Sequence, residues 1–271
     1  MAQLYFPEQD LKVGEQSTAF WSRNIPDNLI IFIHGFNGKA KSTWDNFPGL
    51  IGQYKEFGKC DVIFYGYDGL NVAAEYSAIK FKKFIDDMFF KPFSFIAKDI
   101  KKFGKRPDNF RYKKILLVAH SLGAIITRRA LLNGKNENLL WVDNTKMILF
   151  APAHNGASDI EGLVSSVITG PLKLLTTLGQ YTYVVLDDLK EDSLTIKNIV
   201  AETNNFLAKG EGGFTKAAAV VWAEKDKIVK ANAFCADPPP IPIDDKTHTS
   251  VCKPNQDEPY LAPIDIIKKF I

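Results

Sequence analysis

The segment AHSLGA, from Ala119 to Ala124, places a histidine and a serine among small residues. It follows the apolar run KILLVA and precedes GAIITRRALL, whose apolar residues have helical spacing. A serine at such a break is either a turn residue or a nucleophile. Small neighbours favour a nucleophile, because a tight strand-to-helix turn strains the serine and brings the helix close behind it. The segment therefore predicts that the Ser121 hydroxyl projects from the end of a strand, with the Leu122 N–H at the helix N-terminus beside it.

Short apolar runs along the chain predict the elements that would hold this turn. They are rich in β-branched or aromatic residues and do not alternate with polar ones, so both faces of each strand should be buried. Longer helical segments separate them, which is typical of a mostly parallel sheet. The predicted strands are NLIIFI (28–33), CDVIFYGY (60–67), KILLVA (114–119), KMILFA (146–151) and AAAVVWA (217–223), with STAFWSR (17–23) as an edge strand and PYLAPIDIIKKFI (259–271) as a closing helix.

Length and composition limit the class of protein. A chain of 271 residues with 46% hydrophobic residues is long enough for a large core, and we expect a single α/β domain over residues 1–271. The formal net charge of +3 is too small to indicate nucleic acid as a partner. The N-terminal residues lack a signal-peptide pattern, so a cytoplasmic location is expected. Cys60, Cys235 and Cys252 are odd in number and lack metal-ligand spacing, which predicts free thiols and no metal.

Four short motifs resemble one family. AHSLGA resembles the nucleophile elbow of the α/β-hydrolase fold, with Ala119 in place of the more usual glycine. LIIFIHGFNGKAKSTW resembles the oxyanion loop of that fold, and the resemblance implies that the backbone N–H groups of Phe36 and Leu122 form an oxyanion hole. Together with APAHNGAS and HTSVCKP, these motifs are most similar to lipase- and esterase-like hydrolases, including SERAC1-type and GPI-inositol-deacylase-like proteins. The implied architecture is a mostly parallel central sheet with helices on both faces and a helical lid insertion.

Serine catalysis needs a base and an orienting acid, and the chain offers four histidines. His248 lies on a polar loop before the last helix, where this fold keeps its catalytic histidine, and it completes the order serine, acid, histidine. His34 and His120 are expected to orient loops, and His154 to line the pocket. We also keep all three as candidate substrate-binding residues.

Two acidic residues follow the strand AAAVVWA and could orient the base. Asp226 matches the position that the fold usually fills, and Glu224 is the alternative. Aspartate is also a favoured helix N-cap, so the choice of Asp226 depends on the resemblance as well as on spacing. The segment between acid and histidine, ANAFCADPPPIPIDDK, holds four prolines, which predicts an irregular last strand.

Two further stretches bear on the substrate. Residues 157–213 leave the sheet and contain the apolar segment GLVSSVITGPLKLLTTLG, which is either a lid over the active site or an ordinary core helix. The segment from Ser77 to Arg106 interleaves lysines with phenylalanines. Such a segment either lies on an anionic membrane or forms surface helices with a lysine-rich outer face.

Three functions fit these observations. The first is a serine ester hydrolase that cleaves a small-molecule or lipid ester with an apolar acyl group, through Ser121, His248 and Asp226. The second is an amidase, peptidase or acyltransferase with the same triad, and the third is a non-enzymatic binding module on the same scaffold. The sequence contains no phosphate loop, dinucleotide fingerprint or metal-ligand cluster, so no cofactor is expected.

Overall fold

A computed structural model of the chain describes residues 4–167, 183–256 and 260–271. Eight strands form one sheet in the order β1-β2-β4-β3-β5-β6-β7-β8. The strand β2 runs antiparallel to β1 and β4, and the six strands from β3 to β8 are parallel to one another. The strands are β1 (Gln9–Asp10), β2 (Thr18–Phe20), β3 (Asn28–Ile33), β4 (Cys60–Tyr65), β5 (Lys114–His120), β6 (Thr145–Phe150), β7 (Ala219–Ala223) and β8 (Ile241–Ile243).

The five non-alternating apolar runs are the five central strands, and the prediction that both of their faces are buried is confirmed. Every residue of β4 and β7 is buried, and so are all residues of β5 except Lys114. The bounds of β3 agree with the predicted run, whereas β7 begins two residues later than predicted. The core therefore lies on both sides of the sheet.

Helices cover both faces of the sheet. Phe32 and Phe64 are paired on one face, with their rings stacked at 4.7 Å, and Phe32 lies 5.0 Å from Phe47. Tyr65 points to the opposite face, where its ring lies 4.9 Å from that of Phe81. The helices are α1 (Phe47–Leu50), α2 (Ala74–Phe90), α3 (Lys98–Phe103), α4 (Leu122–Asn136), α5 (Ile160–Val167), α6 (Val184–Asp188), α7 (Leu194–Ala208) and α8 (Ala262–Lys268).

The proline-rich segment provides a short edge strand. Three residues of β8 pair with β7, from Ile241 opposite Val221 to Ile243 opposite Ala223. Pro242 lies at the centre of this strand, and proline is tolerated there because an outermost strand has one side without a neighbour. The closing helix α8 begins at Ala262, three residues after the start of the predicted segment, and has Pro263 in its first turn.

Helix α2 contains the first part of the lysine- and phenylalanine-rich segment, as far as Phe90. Its apolar side chains, including Phe81, Phe84 and Met88, are buried in the protein, and the helix packs against α4. This is the arrangement expected of a surface helix with a lysine-rich outer face. Membrane contact by this segment stays a prediction. In the parts of the chain that the structure describes, each helix is too short or too polar to cross a bilayer.

The excursion between β6 and β7 contains α5, α6 and α7. Helix α7 packs against α4 and buries Ile196 and Ile199. The apolar segment predicted as a lid or a core helix spans residues 162–179. Its residues 168–179 lie outside the described residues.

Candidate active site

The turn after β5 holds Ser121 in an uncommon backbone conformation, with φ of 53° and ψ of −120°. Such values strain a residue that has a side chain, and strain of this kind is concentrated at functional sites. A Cβ added to Gly123 would lie 2.5 Å from the carbonyl oxygen of Ile33 and 2.6 Å from that of His34. The turn therefore requires glycine at position 123, as the small-residue pattern predicted.

His248 bridges Ser121 and Asp226. Its Nε2 lies 2.9 Å from the Ser121 Oγ, and its Nδ1 lies 2.8 Å from an Asp226 carboxylate oxygen. Because a carboxylate only accepts, Nδ1–H donates to Asp226, which leaves Nε2 as an acceptor for the serine hydroxyl. The three side chains come from the loops after β5, β7 and β8, at the edge of the sheet where parallel strands end.

Asp226 is fixed by the backbone that follows it. Its Oδ1 accepts the N–H groups of Ile228 at 2.8 Å and Val229 at 3.2 Å, so Oδ2 is directed to His248. The alternative acid, Glu224, is exposed and accepts the Asp245 N–H at 3.2 Å instead. Of the two candidate acids, the structure brings Asp226 to the histidine.

The loop after β3 lies directly against the serine. A Cβ added to Gly35 would lie 2.8 Å from the Ser121 Cβ, so the chain passes over the serine in close contact. Within the described residues, the N–H groups of Phe36 and Leu122 have no hydrogen-bond partner. Unpaired N–H donors on the chain next to a nucleophilic serine are the groups that can bind an oxyanion formed on a substrate carbonyl.

His34 is built into the base of this loop. It is buried and its ring stacks on that of Tyr67, with centroids 4.2 Å apart. Its Nδ1–H donates to the Gly35 carbonyl at 2.9 Å, and its Nε2 accepts the Tyr67 N–H at 3.2 Å. Burial lowers the pKa of His34 to about 4, so the ring is neutral at pH 7.

His120 holds the loop of the candidate base. Its Nε2–H donates to the backbone carbonyl of His248 at 2.7 Å, and the two rings lie 5.0 Å apart. Its Nδ1 is buried without a partner among the described residues. Burial, followed by the nearby His248, lowers the pKa of His120 to about 3.

His154 belongs to a buried cluster on the other side of the site. Its ring stacks on Phe234 at 4.6 Å, and its Nδ1 lies 3.5 Å from the Arg128 guanidinium. Arg128 pairs with Asp237 and donates to the Thr215 carbonyl at 2.7 Å, with its side chain almost fully buried. Burial, with the adjacent Arg128, lowers the pKa of His154 well below its usual value.

The roles of Arg128 and Asp237 were not predicted from the sequence. Arg128 lies on a helix whose sequence is basic and amphipathic, and a charged residue on such a helix is usually exposed. For His34, His120 and His154 the structure gives contacts within the protein, and their contact with a substrate stays a prediction. Among the described residues, no three histidine, cysteine or acidic side chains converge to hold a metal ion.

Sequence comparison and structure comparison give different results for this chain. No protein-family model matches it, and no curated protein matches it in sequence. Its structure is similar to that of the mature lipase BlEst2 of Bacillus licheniformis, with a TM-score of 0.54 and 16% identity over 97% of this chain and 99% of that one. It is also similar to MGS-MChE2, an α/β-hydrolase enzyme from a lagoon-sediment metagenome, with a TM-score of 0.50 and 15% identity over 97% of this chain and 98% of that one. These likenesses, with the strand order and the turn at Ser121, show that the chain has the α/β-hydrolase fold.

Proposed function

We propose that this protein is a serine ester hydrolase that cleaves an apolar acyl ester through an acyl-enzyme intermediate. The observation that carries the proposal is the continuous hydrogen-bonded chain from Asp226 through His248 to the Ser121 hydroxyl. A serine hydroxyl is a weak nucleophile by itself, and this arrangement is the one that activates it. The similarity to a lipase, although it establishes only the fold, agrees with the proposal.

In the proposed mechanism, His248 Nε2 takes the proton of Ser121 as Oγ attacks the ester carbonyl carbon. Asp226 keeps Nδ1 protonated and stabilises the imidazolium that forms. The tetrahedral intermediate collapses when Nε2–H gives its proton to the leaving alcohol. A water molecule, deprotonated by the same nitrogen, then attacks the acyl-enzyme carbonyl, and Nε2–H returns its proton to Ser121 Oγ as the acid is released.

The N–H groups of Phe36 and Leu122 would bind the negative oxygen of both tetrahedral intermediates. Loss of one such donor in other serine hydrolases costs about 3–4 kcal/mol of transition-state stabilisation. His34 supports this role through the loop, because its neutral ring holds both the Gly35 carbonyl and the Tyr67 N–H. His120 supports the base in the same way, through the His248 carbonyl.

The apolar acyl group is proposed from the insertion at residues 157–213. Tyr183 is the residue at which the described part of the insertion resumes. It is buried and packs edge-on against Phe36, with ring centroids 6.0 Å apart. Asp188 accepts the N–H of Ala74 at 2.8 Å, which ties the same segment to α2. These contacts support a location beside the oxyanion loop for the part of the insertion around Tyr183 and Asp188, and we propose that the insertion acts as a lid. The narrower likeness to SERAC1-type and GPI-inositol-deacylase-like hydrolases depends on the four motifs and is likewise a proposal.

Labelling with a fluorophosphonate probe tests the proposed nucleophile. The wild-type protein should be labelled and Ser121→Ala should not. Ser94→Ala, which changes an exposed serine outside the candidate triad, is the control and should be labelled like the wild type. Parallel panels of esters and amides of equal acyl length then separate an esterase from an amidase. A folded wild-type protein that neither reacts with the probe nor hydrolyses any ester or amide would contradict the proposal and favour a binding module.

A further inference from the structure

A cavity of about 240 Å³ lies next to the candidate active site, and it is lined by the sequence neighbours of Ser121 and His248 rather than by those two residues. Phe36 and its neighbours in the oxyanion loop line one side, and Thr249, the residue after His248, lines another. His120, which precedes Ser121, also contributes to the wall. We call this space the alcohol pocket, after the part of the substrate that is proposed to bind there.

The alcohol pocket is positively charged. Lys39 and Lys253 line it, and no acidic residue does. Within the described residues, neither lysine forms an ion pair, whereas the nearby Lys41 pairs with Glu8 at 3.0 Å. Two lysines without a carboxylate partner at one small cavity create a local positive potential that attracts anions.

Neutral hydrogen-bond donors surround the same space. Ser42 and Thr249, which carry hydroxyl groups, line the pocket together with Asn37 and Gly38 of the loop that follows Phe36. Asp68, the carboxylate that interacts electrostatically with Lys39, already accepts the N–H groups of Leu70 at 3.0 Å and Asn71 at 2.9 Å. Asp68 forms no ion pair with Lys39 among the described residues, and it does not line the pocket.

From this geometry we propose that the alcohol pocket binds an anionic oxygen group on the alcohol part of the ester substrate. Phosphate and carboxylate share the required chemistry, since both accept hydrogen bonds from ammonium and hydroxyl groups. Bound there, the anion would hold the ester between the oxyanion donors and His248. The inference extends the proposed function, because it assigns a substrate class to the same site.

A binding experiment tests the pocket without turnover. Isothermal titration calorimetry compares glycerol 3-phosphate, glycerate, glycerol and inorganic phosphate on the full chain. We expect at least one of the two organic anions to bind, glycerol not to bind, and Lys39→Gln/Lys253→Gln to weaken that binding by about tenfold or more. Lys197→Gln, at an exposed lysine of α7, is the matched control and should bind like the wild type.

A kinetic experiment uses the butanoyl esters of the three organic alcohols, which are short enough to avoid micelles. The ratio of kcat/KM for an anionic ester to that for the neutral glycerol ester should exceed about ten in the wild type, and it should fall toward one in the double lysine variant. Added salt should lower the same ratio. A preference for the phosphate ester or the glycerate ester identifies which anion the pocket takes.

The two experiments separate this inference from the proposed function. Hydrolysis of the neutral ester with no anion binding overturns the alcohol pocket and leaves the esterase intact. Anion binding that depends on both lysines, without hydrolysis of any ester, supports an anion site and contradicts the esterase. Inorganic phosphate that binds more tightly than glycerol 3-phosphate would overturn the assignment to a substrate group, and so would equal anionic and neutral rates in the wild type.

Discussion

His120 donates a hydrogen bond from its Nε2–H to the backbone carbonyl of His248 at 2.7 Å, so the residue before the nucleophile holds the loop of the candidate base. That loop lies outside any helix or strand. His120→Leu should lower kcat by roughly 10- to 100-fold, because the buried carbonyl loses its donor. His120→Gln, which can still donate, should lose less. Equal loss of kcat in both variants, measured with folding confirmed by circular dichroism, would argue against this role.

The choice between the two acids after β7 is open to direct measurement. Asp226→Asn should reduce kcat by roughly 10⁴-fold, because an amide cannot hold the histidine in the tautomer that accepts the serine proton. Glu224→Gln should leave kcat unchanged, since Glu224 is exposed and contacts the Asp245 N–H. Ester hydrolysis by the two variants at equal concentration is the test. A larger loss from Glu224→Gln than from Asp226→Asn would reverse the assignment.

The tight turn at Ser121 predicts a strict requirement at position 123. Gly123→Ala would bring a methyl group against two backbone carbonyls of the preceding loop, at 2.5 and 2.6 Å. We expect a loss of about 1–3 kcal/mol in the free energy of unfolding, together with a loss of fluorophosphonate labelling. Gly52→Ala is the matched control, because a Cβ there meets nothing within 4 Å. Thermal unfolding of the two variants measures the difference, and equal melting temperatures would refute it.

A buried ion pair stabilises the sheet away from the site. Arg106 pairs with Asp61 at 2.6 Å with both side chains fully buried, and Asp61 also accepts from Tyr112 and the Ser22 N–H. Arg106→Met should cost about 3–5 kcal/mol, because it leaves a buried carboxylate without its cation. Adding Asp61→Asn should restore part of that loss by removing the charge. Urea unfolding of single and double variants checks this, and strictly additive losses would contradict it.

Acid should destabilise the fold through its buried histidines. The pKa of His34 is about 4 in the folded protein, against 6.5 for an unperturbed histidine. The unfolded chain therefore takes up the proton first, so stability is full above about pH 6.5 and is lost as the pH falls toward 4. The contribution of His34 is roughly 3 kcal/mol. Urea midpoints between pH 7 and 4.5 should fall more steeply for the wild type than for His34→Gln, and parallel lines would exclude this cause.

The strands were predictable from the sequence because a strand buried on both faces must be apolar throughout. This is why NLIIFI agrees with β3 at both ends. The position of Ser121 followed from a local signal, the small residues that a tight turn needs. Asp226 and His248 depended on resemblance to a fold, because their meeting with Ser121 is a long-range contact that local patterns do not encode.

The supporting shell of the site could not be predicted in the same way. Arg128 and Asp237 are separated by 109 residues. Arginine and aspartate are both residue types that usually lie on the surface. Their burial results from the way the proline-rich segment packs against α4. His120 was expected to orient a loop, but its partner, the backbone carbonyl of His248, could not be predicted from residue types. Side chains that hold other side chains are recognisable only once the packing is known.

The two outermost strands have a consequence for how this protein behaves among its own copies. An open sheet edge presents free N–H and C=O groups that can pair with another chain and start aggregation. Here β1 has two residues, and β8 has three with Pro242 at its centre. Neither edge offers a ladder long enough for a second molecule to join. A large and mostly apolar sheet is thereby kept from growing beyond its own eight strands.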